Sequence, residues 1–75
     1  MMKQFWQIVP IGNGYTYLGL QDGEHIECSK MKNRVNTSLL FKSKLDCVQY
    51  ITKNLSVDKY DAEEVYLDEK YYGLK

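Results

Sequence analysis

FKSKLDCVQYITKNL, residues 41–55, is the stretch whose reading decides the fold. Its apolar spacing predicts a helix. Ser43 is placed to cap it, with Asp46 three residues later in an S-x-x-D start related to the capping box. The Ser43 hydroxyl can accept from first-turn N–H groups, and Asp46 stands where the helix dipole favours negative charge. At about 100° per residue, Leu45, Cys47, Val48, Ile51 and Leu55 share an arc of roughly 160°. Asp46, Gln49, Tyr50 and Lys53 take the other side. Such a stripe predicts packing on the protein's own sheet, the alternative being a partner-binding helix. Asn54 and Ser56 are stop residues, and Phe41 is placed to pack back on the first turn.

Upstream, turn-punctuated runs read as strands. Lys3–Val9 (KQFWQIV) is the first, ended or moved to an edge by Pro10. Asn13-Gly14 is a hairpin signal, because a type I′ turn needs positive φ at both central positions. Tyr15–Gln21 (YTYLGLQ) is the second strand, Asp22-Gly23 a second turn of the same chemistry, and Glu24–Ser29 (EHIECS) the third strand.

Two-residue turns at both places would pair residues 12 with 15 and 21 with 24. One face then carries Trp6, Ile8, Tyr15, Tyr17, Gly19, Ile26 and Cys28. The other carries Phe5, Val9, Ile11, Thr16, Leu18, Leu20, His25 and Glu27. The first face is the more coherent and is expected to take the helix, with Gly19 making room for close packing. A bulge at Pro10 or Gly12 would invert the first strand.

Lys30–Asn36 reads as a polar loop, and Thr37–Phe41 as a short fourth strand entering the helix. Beyond the helix, Ser56–Asp61 is turn-rich. In Ala62–Tyr72, Val65 and Leu67 alternate with Glu64, Tyr66 and Asp68, the period of a strand. Asp61, Glu64 and Gly73 carry competing helix-capping signals, but the strand is preferred. The expectation is one α+β domain over residues 1–75, of order β-β-β-(β)-α-β. Its sheet is a three- to four-stranded antiparallel meander with one amphipathic helix on one face.

Composition agrees with one small globular domain: 75 residues, 44% hydrophobic and 27% charged. Seven tyrosines are many for this length. Tyrosine tolerates half-burial with its hydroxyl wet, which suits sheet surfaces and interfaces. Net charge is zero, so no global field draws the chain to nucleic acid or membrane. No run approaches the length of a membrane span, and the start carries no signal-peptide pattern, so a cytoplasmic protein is expected. Cys28 and Cys47 read as core thiols of a reducing compartment.

No residue pattern announces chemistry. His25 is the only histidine, and a strand puts only Glu27 on its face, so it reads as solvent-facing rather than as a general base. A His/Cys/Glu metal site fails because Cys28 points away from His25. Gly12-x-Gly14 precedes no helix and is no phosphate loop. No enzyme, cofactor or metal is expected. Charge is clustered, however. Lys30, Lys32, Arg34, Lys42 and Lys44 lie together in sequence, as do Asp58, Asp61, Glu63, Glu64, Asp68 and Glu69. The acidic set reads either as a carboxylate surface or as a solvated strand protecting its edge. The basic set reads as a phosphate-binding stretch, as a solvated loop, or as a partner for the acidic strand.

Phe5-Trp6, Asn13-Gly14, Tyr17-Leu18, Phe41, Ser43, Cys47, Tyr50-Ile51 and Glu64-Val65-Tyr66-Leu67 form a pattern of core positions across most of the chain. It resembles short bacteriophage and prophage proteins of low-GC Gram-positive bacteria. The resemblance implies a small accessory protein that binds a host or phage protein, and it transfers no active residues. One helix covers one sheet face, leaving Phe5, Val9, Ile11, Leu18 and Leu20 as an expected partner or homodimer surface, with Glu64, Tyr66 and Asp68 beside it. The first expectation is therefore a non-enzymatic protein–protein interaction module. The alternative is a nucleic-acid-binding accessory protein using Lys30, Lys32, Arg34, Lys42 and Lys44.

Overall fold

The computed structural model describes residues 2–32 and 39–68. Arg34, Thr37 and Ser38 of the expected fourth strand and everything after Asp68 lie outside those residues; of the rest of that strand, Phe41 forms a single bridge to Trp6. The chain is α+β, with β1 (Met2–Pro10), β2 (Thr16–Gln21), β3 (Glu24–Ser29), α1 (Lys44–Asn54) and β4 (Tyr60–Asp68) in that order. The strands form two antiparallel pairs, β1 with β4 and β2 with β3.

This corrects the expected single meander. The partner of β1 along its whole length is β4, from Met2 opposite Asp68 to Pro10 opposite Tyr60. The reason lies in the first turn. Asn13 and Gly14 do not adopt the paired positive φ of a type I′ hairpin; Gly12 takes the positive φ, at 89°. Asn13 N–H donates back to Pro10 O, and the Asn13 side chain accepts from Tyr15 N–H. The chain turns away from β1 instead of folding onto it. Asp22 and Gly23, at φ 53° and 81°, do form the type I′ turn, and Gln21 pairs with Glu24 as expected.

Ser43 caps α1, its hydroxyl accepting from Asp46 N–H at 3.1 Å. The core is Ile8, Leu18, Leu39, Cys47 and Ile51, with Trp6, Leu20, Phe41, Tyr50, Leu55, Tyr60 and Ala62 packed around it. Trp6 and Ile8 thus reach the helix as expected, but from the second strand Leu18 and Leu20 do so, and Tyr17 and Gly19 do not. Across Gly19 stand Cys28 and Ile26, not the helix. The helix is also rotated from the expected stripe. Cys47 and Ile51 are buried and Tyr50 packs inward, while Leu45 and Val48 are exposed.

Candidate functional site

Phe41 brackets Trp6 with two hydrogen bonds, Trp6 N–H to Phe41 O at 2.8 Å and Phe41 N–H to Trp6 O at 2.9 Å. The main chain of Trp6 therefore points away from β4. Main-chain groups alternate sides along a strand, so the odd-numbered residues of β1 bond to β4. Ile11 N–H donating to Lys59 O at 2.9 Å continues the same parity. On β4, by the same register, Asp61, Glu63, Val65 and Leu67 bond inward to β1. Ala62, Glu64 and Tyr66 aim their N–H and C=O groups outward, along an edge with no neighbouring strand among the described residues.

The outward groups are not equivalent. Ala62 N–H donates to Asp61 Oδ1 at 2.8 Å, which closes the edge at that end. The main chains of Glu64 and Tyr66 have no such partner among the described residues. Both residues are exposed, Tyr66 by 55%. The Glu64 carboxylate accepts from the side-chain amide of Gln4, its diagonal neighbour on β1.

The helix supplies the flank of this edge. Tyr50 lies against Phe41, ring centroids 5.3 Å apart, and its hydroxyl is 2.7 Å from His25 Nε2. Phe41 stands on the side of β1 opposite β4. Taking Tyr50 as zero, the buried Cys47 and Ile51 lie about 60° and 100° round the helix, Val48 about 160°, on the flank away from Phe41 and so toward β4, and Leu45 about 220°, pointing off the sheet. Leu45 is 64% exposed and Val48 38%. The flank of α1 nearest the open edge of β4 thus carries the partly exposed Val48.

The remaining residues singled out from sequence are dispersed. Phe5 and Leu18 are buried, 6% and 3% exposed, and Leu20 packs against the cluster that holds Leu18. Val9 is half-buried and Ile11 is exposed in the turn after β1. Five apolar residues expected on one open face therefore do not form one, because the turn at Gly12 separates the faces of β1 and β2. Glu64, Tyr66 and Asp68 do share one face of β4. The basic set is drawn into the fold: Lys30 Nζ lies 2.7 Å from Glu63 Oε1, and Lys44 Nζ is 5.9 Å from the centre of the Trp6 ring. Lys32 and Lys42 are exposed. The hydrogen bond from Lys30 holds the Glu63 carboxyl below its ordinary range, opposed by partial burial and helped by a second hydrogen bond from Gln7. His25 is exposed yet tied to Tyr50, a contact that strand parity alone did not reveal. Cys28 and Cys47 are free thiols, and burial, with a smaller contribution from Asp61, pushes Cys47 up to about 11.

Among the described residues no three His, Cys, Asp or Glu side chains converge as metal ligands, and no helix is long and apolar enough to cross a membrane. Comparison with protein-family models, characterised proteins and solved structures finds no match.

Proposed function

We propose that this chain is a small, non-enzymatic accessory protein that acts by protein–protein interaction, accepting an additional strand along β4. One observation carries the reading. The main-chain groups of Glu64 and Tyr66 have no partner among the described residues, at the edge of a well-formed ladder and on the side of partly exposed Val48. A strand edge is a template for another chain: main-chain hydrogen bonds supply affinity, and side chains at alternate positions supply selectivity. A phage-type modulator of a host or phage protein is one role such a surface serves.

Tyr66→Pro tests it. The Tyr66 N–H points outward, so proline there removes a donor from the open edge without breaking a bond to β1, the placement strands tolerate. Wild-type and variant chains, immobilised and exposed to nuclease-treated lysate of a Gram-positive host, should differ. Proteins retained by the wild type should be absent from the Tyr66→Pro eluate, with the fold of both verified by circular dichroism. Equal retention by the two chains would refute strand addition. Retention that disappears with nuclease would favour the nucleic-acid reading through Lys32 and Lys42.

A further inference from the structure

We infer that the strand accepted by β4 is β4 of a second copy of this chain, paired antiparallel about a two-fold axis at Val65. The inference rests on the strand-addition reading and names its occupant. Three independent features of the edge select this arrangement.

The first is hydrogen bonding. With the axis at Val65, Glu64 stands opposite Tyr66 of the second copy, and Tyr66 opposite Glu64 of the second copy. Both are outward-facing residues, so each pair exchanges N–H···O=C bonds in both directions. The unpaired groups of Glu64 and Tyr66 are then satisfied by the same groups of the other copy. Ala62 N–H, already held by Asp61, is not needed for those two pairs. An axis at Glu63 or Glu64 would set Ala62 opposite Glu64 or Tyr66 and so leave one of those open residues facing an occupied donor, whereas the axis at Val65 sets Ala62 opposite Asp68, outside the two central pairs.

The second is charge. An axis at Glu63 opposes Glu63 with itself, one at Glu64 opposes Glu64 with itself, and one at Tyr66 opposes Glu64 with Asp68. Like charges directly opposed across a ladder are destabilising. With the axis at Val65, Glu63 faces Leu67, Glu64 faces Tyr66, and Val65 faces itself. Of the two-fold registers that pair both Glu64 and Tyr66 with described residues, this one opposes no two carboxylates between Ala62 and Asp68.

The third is apolar surface. A two-fold axis perpendicular to the joined sheet keeps both helices on one side of it. Partly exposed Val48 of each helix is then on the side of the other copy, with exposed Tyr66 beneath on the same face of the sheet. An isologous contact needs a patch that complements itself, and these two uncharged side chains meet their own kind across the axis. The ladder is short, so Val48 and Tyr66 add to the buried area.

The arrangement predicts its own cross-link. Val65 bonds inward to β1, so the two copies of Val65 form a non-hydrogen-bonded pair, whose Cα atoms lie about 4.5 Å apart, inside the range a disulfide spans. Val65→Cys in a Cys28→Ser background, oxidised mildly without denaturant, should give a covalent dimer in high yield. Glu63→Cys and Leu67→Cys in the same background, each opposite a different residue, should give little. In sedimentation equilibrium the wild-type chain should dimerise, and Tyr66→Pro should raise the dissociation constant at least about tenfold. Val65→Lys, which places like charge on the axis, should act in the same direction, guarding against a folding defect in the proline variant.

A dimer that neither cross-links through Val65→Cys nor weakens in either variant would overturn the proposal. A wild-type chain that stays monomeric at millimolar concentration would also overturn it. If lysate proteins were then still lost from the Tyr66→Pro chain, strand addition would stand with a different occupant. If nothing distinguished the two chains, both readings would fail together.

Discussion

Gly19→Ala places one methyl group against Cys28 within the β2–β3 pair. Gly19 is buried, with Ile26 directly opposite and Cys28 on the diagonal. An added Cβ would lie 3.1 Å from Cys28 Sγ and 3.7 Å from Ile26 Cγ1. Ordinary apolar contacts fall at about 3.5–4.0 Å, so the sulfur must retreat by roughly half an ångström. Overpacking of this kind costs about 1–3 kcal/mol. Alanine also restricts the unfolded chain, which returns about 0.4–1 kcal/mol because Gly19 does not occupy the positive-φ region. The net expectation is a loss of about 0.5–2 kcal/mol, some 2–15 °C in Tm for a domain this small. Cys28→Ala removes the obstructing atom. In that background Gly19→Ala should be neutral or stabilising by a few tenths of a kcal/mol. Urea denaturation of the four proteins gives the coupling directly, and it should be about 1–2 kcal/mol in favour of the double variant. Coupling within about 0.3 kcal/mol of zero would refute the reasoning. It would mean that something other than Cys28 limits the space at Gly19, as would hold if the helix covered this face.

Ile51→Ala, which empties the centre of the helix's buried face, should cost about 2–5 kcal/mol by the same assay. Leu45→Ala, nearly as large a deletion two turns away, should stay within about 0.5 kcal/mol in the monomer because Leu45 is exposed. The Glu63 carboxyl is held below its ordinary value of 4.5, so its contribution is present above that pH and is lost as pH falls through the lower folded value. Glu63→Gln should therefore flatten the acid limb of a stability profile below about pH 4.5, and an unchanged limb would contradict the Lys30 contact. Cys28 should react with iodoacetamide in the native protein while Cys47, buried and raised to about 11, resists until denaturant is added. Peptide mapping of the alkylated chain distinguishes the two thiols.

Local signals were legible and long-range ones were not. Ser43 as N-cap, Asp22-Gly23 as a type I′ turn and the alternation of Val65 and Leu67 in β4 all depend on neighbours within a few residues. The pairing of β1 with β4 joins Met2 to Asp68, and no local signal specifies it. Asn13-Gly14 misled for a physical reason. A hairpin dipeptide makes a hairpin only if the preceding residues stay in the ladder, and a positive φ at Gly12 had already diverted the chain. That diversion moved Leu18 and Leu20 into the core, dissolving the open face expected from Phe5 to Leu20. The acidic strand was identified, and so was the option that it pairs with the basic stretch, which Lys30 and Glu63 now do.

The rotation of the helix and the open edge of β4 bear on the same flank of the sheet. Periodicity placed Tyr50 among the polar residues because it lies about 60° beyond Cys47, outside the apolar arc. In the fold its ring covers Phe41, and its hydroxyl meets His25 at the surface. A side chain with an apolar body and a polar tip can occupy such a margin, which leucine could not do as well. Once Tyr50 covers the Phe41 flank of β1, helical geometry puts Val48 on the opposite flank, toward β4, while Leu45 points off the sheet. The sheet is then closed on one side by a bridge and an aromatic cover, and on the other carries partly exposed Val48 above an edge with no partner strand among the described residues. The departure of α1 from the expected stripe thus moves Val48, read from sequence as a core residue, to the side expected to meet the second copy.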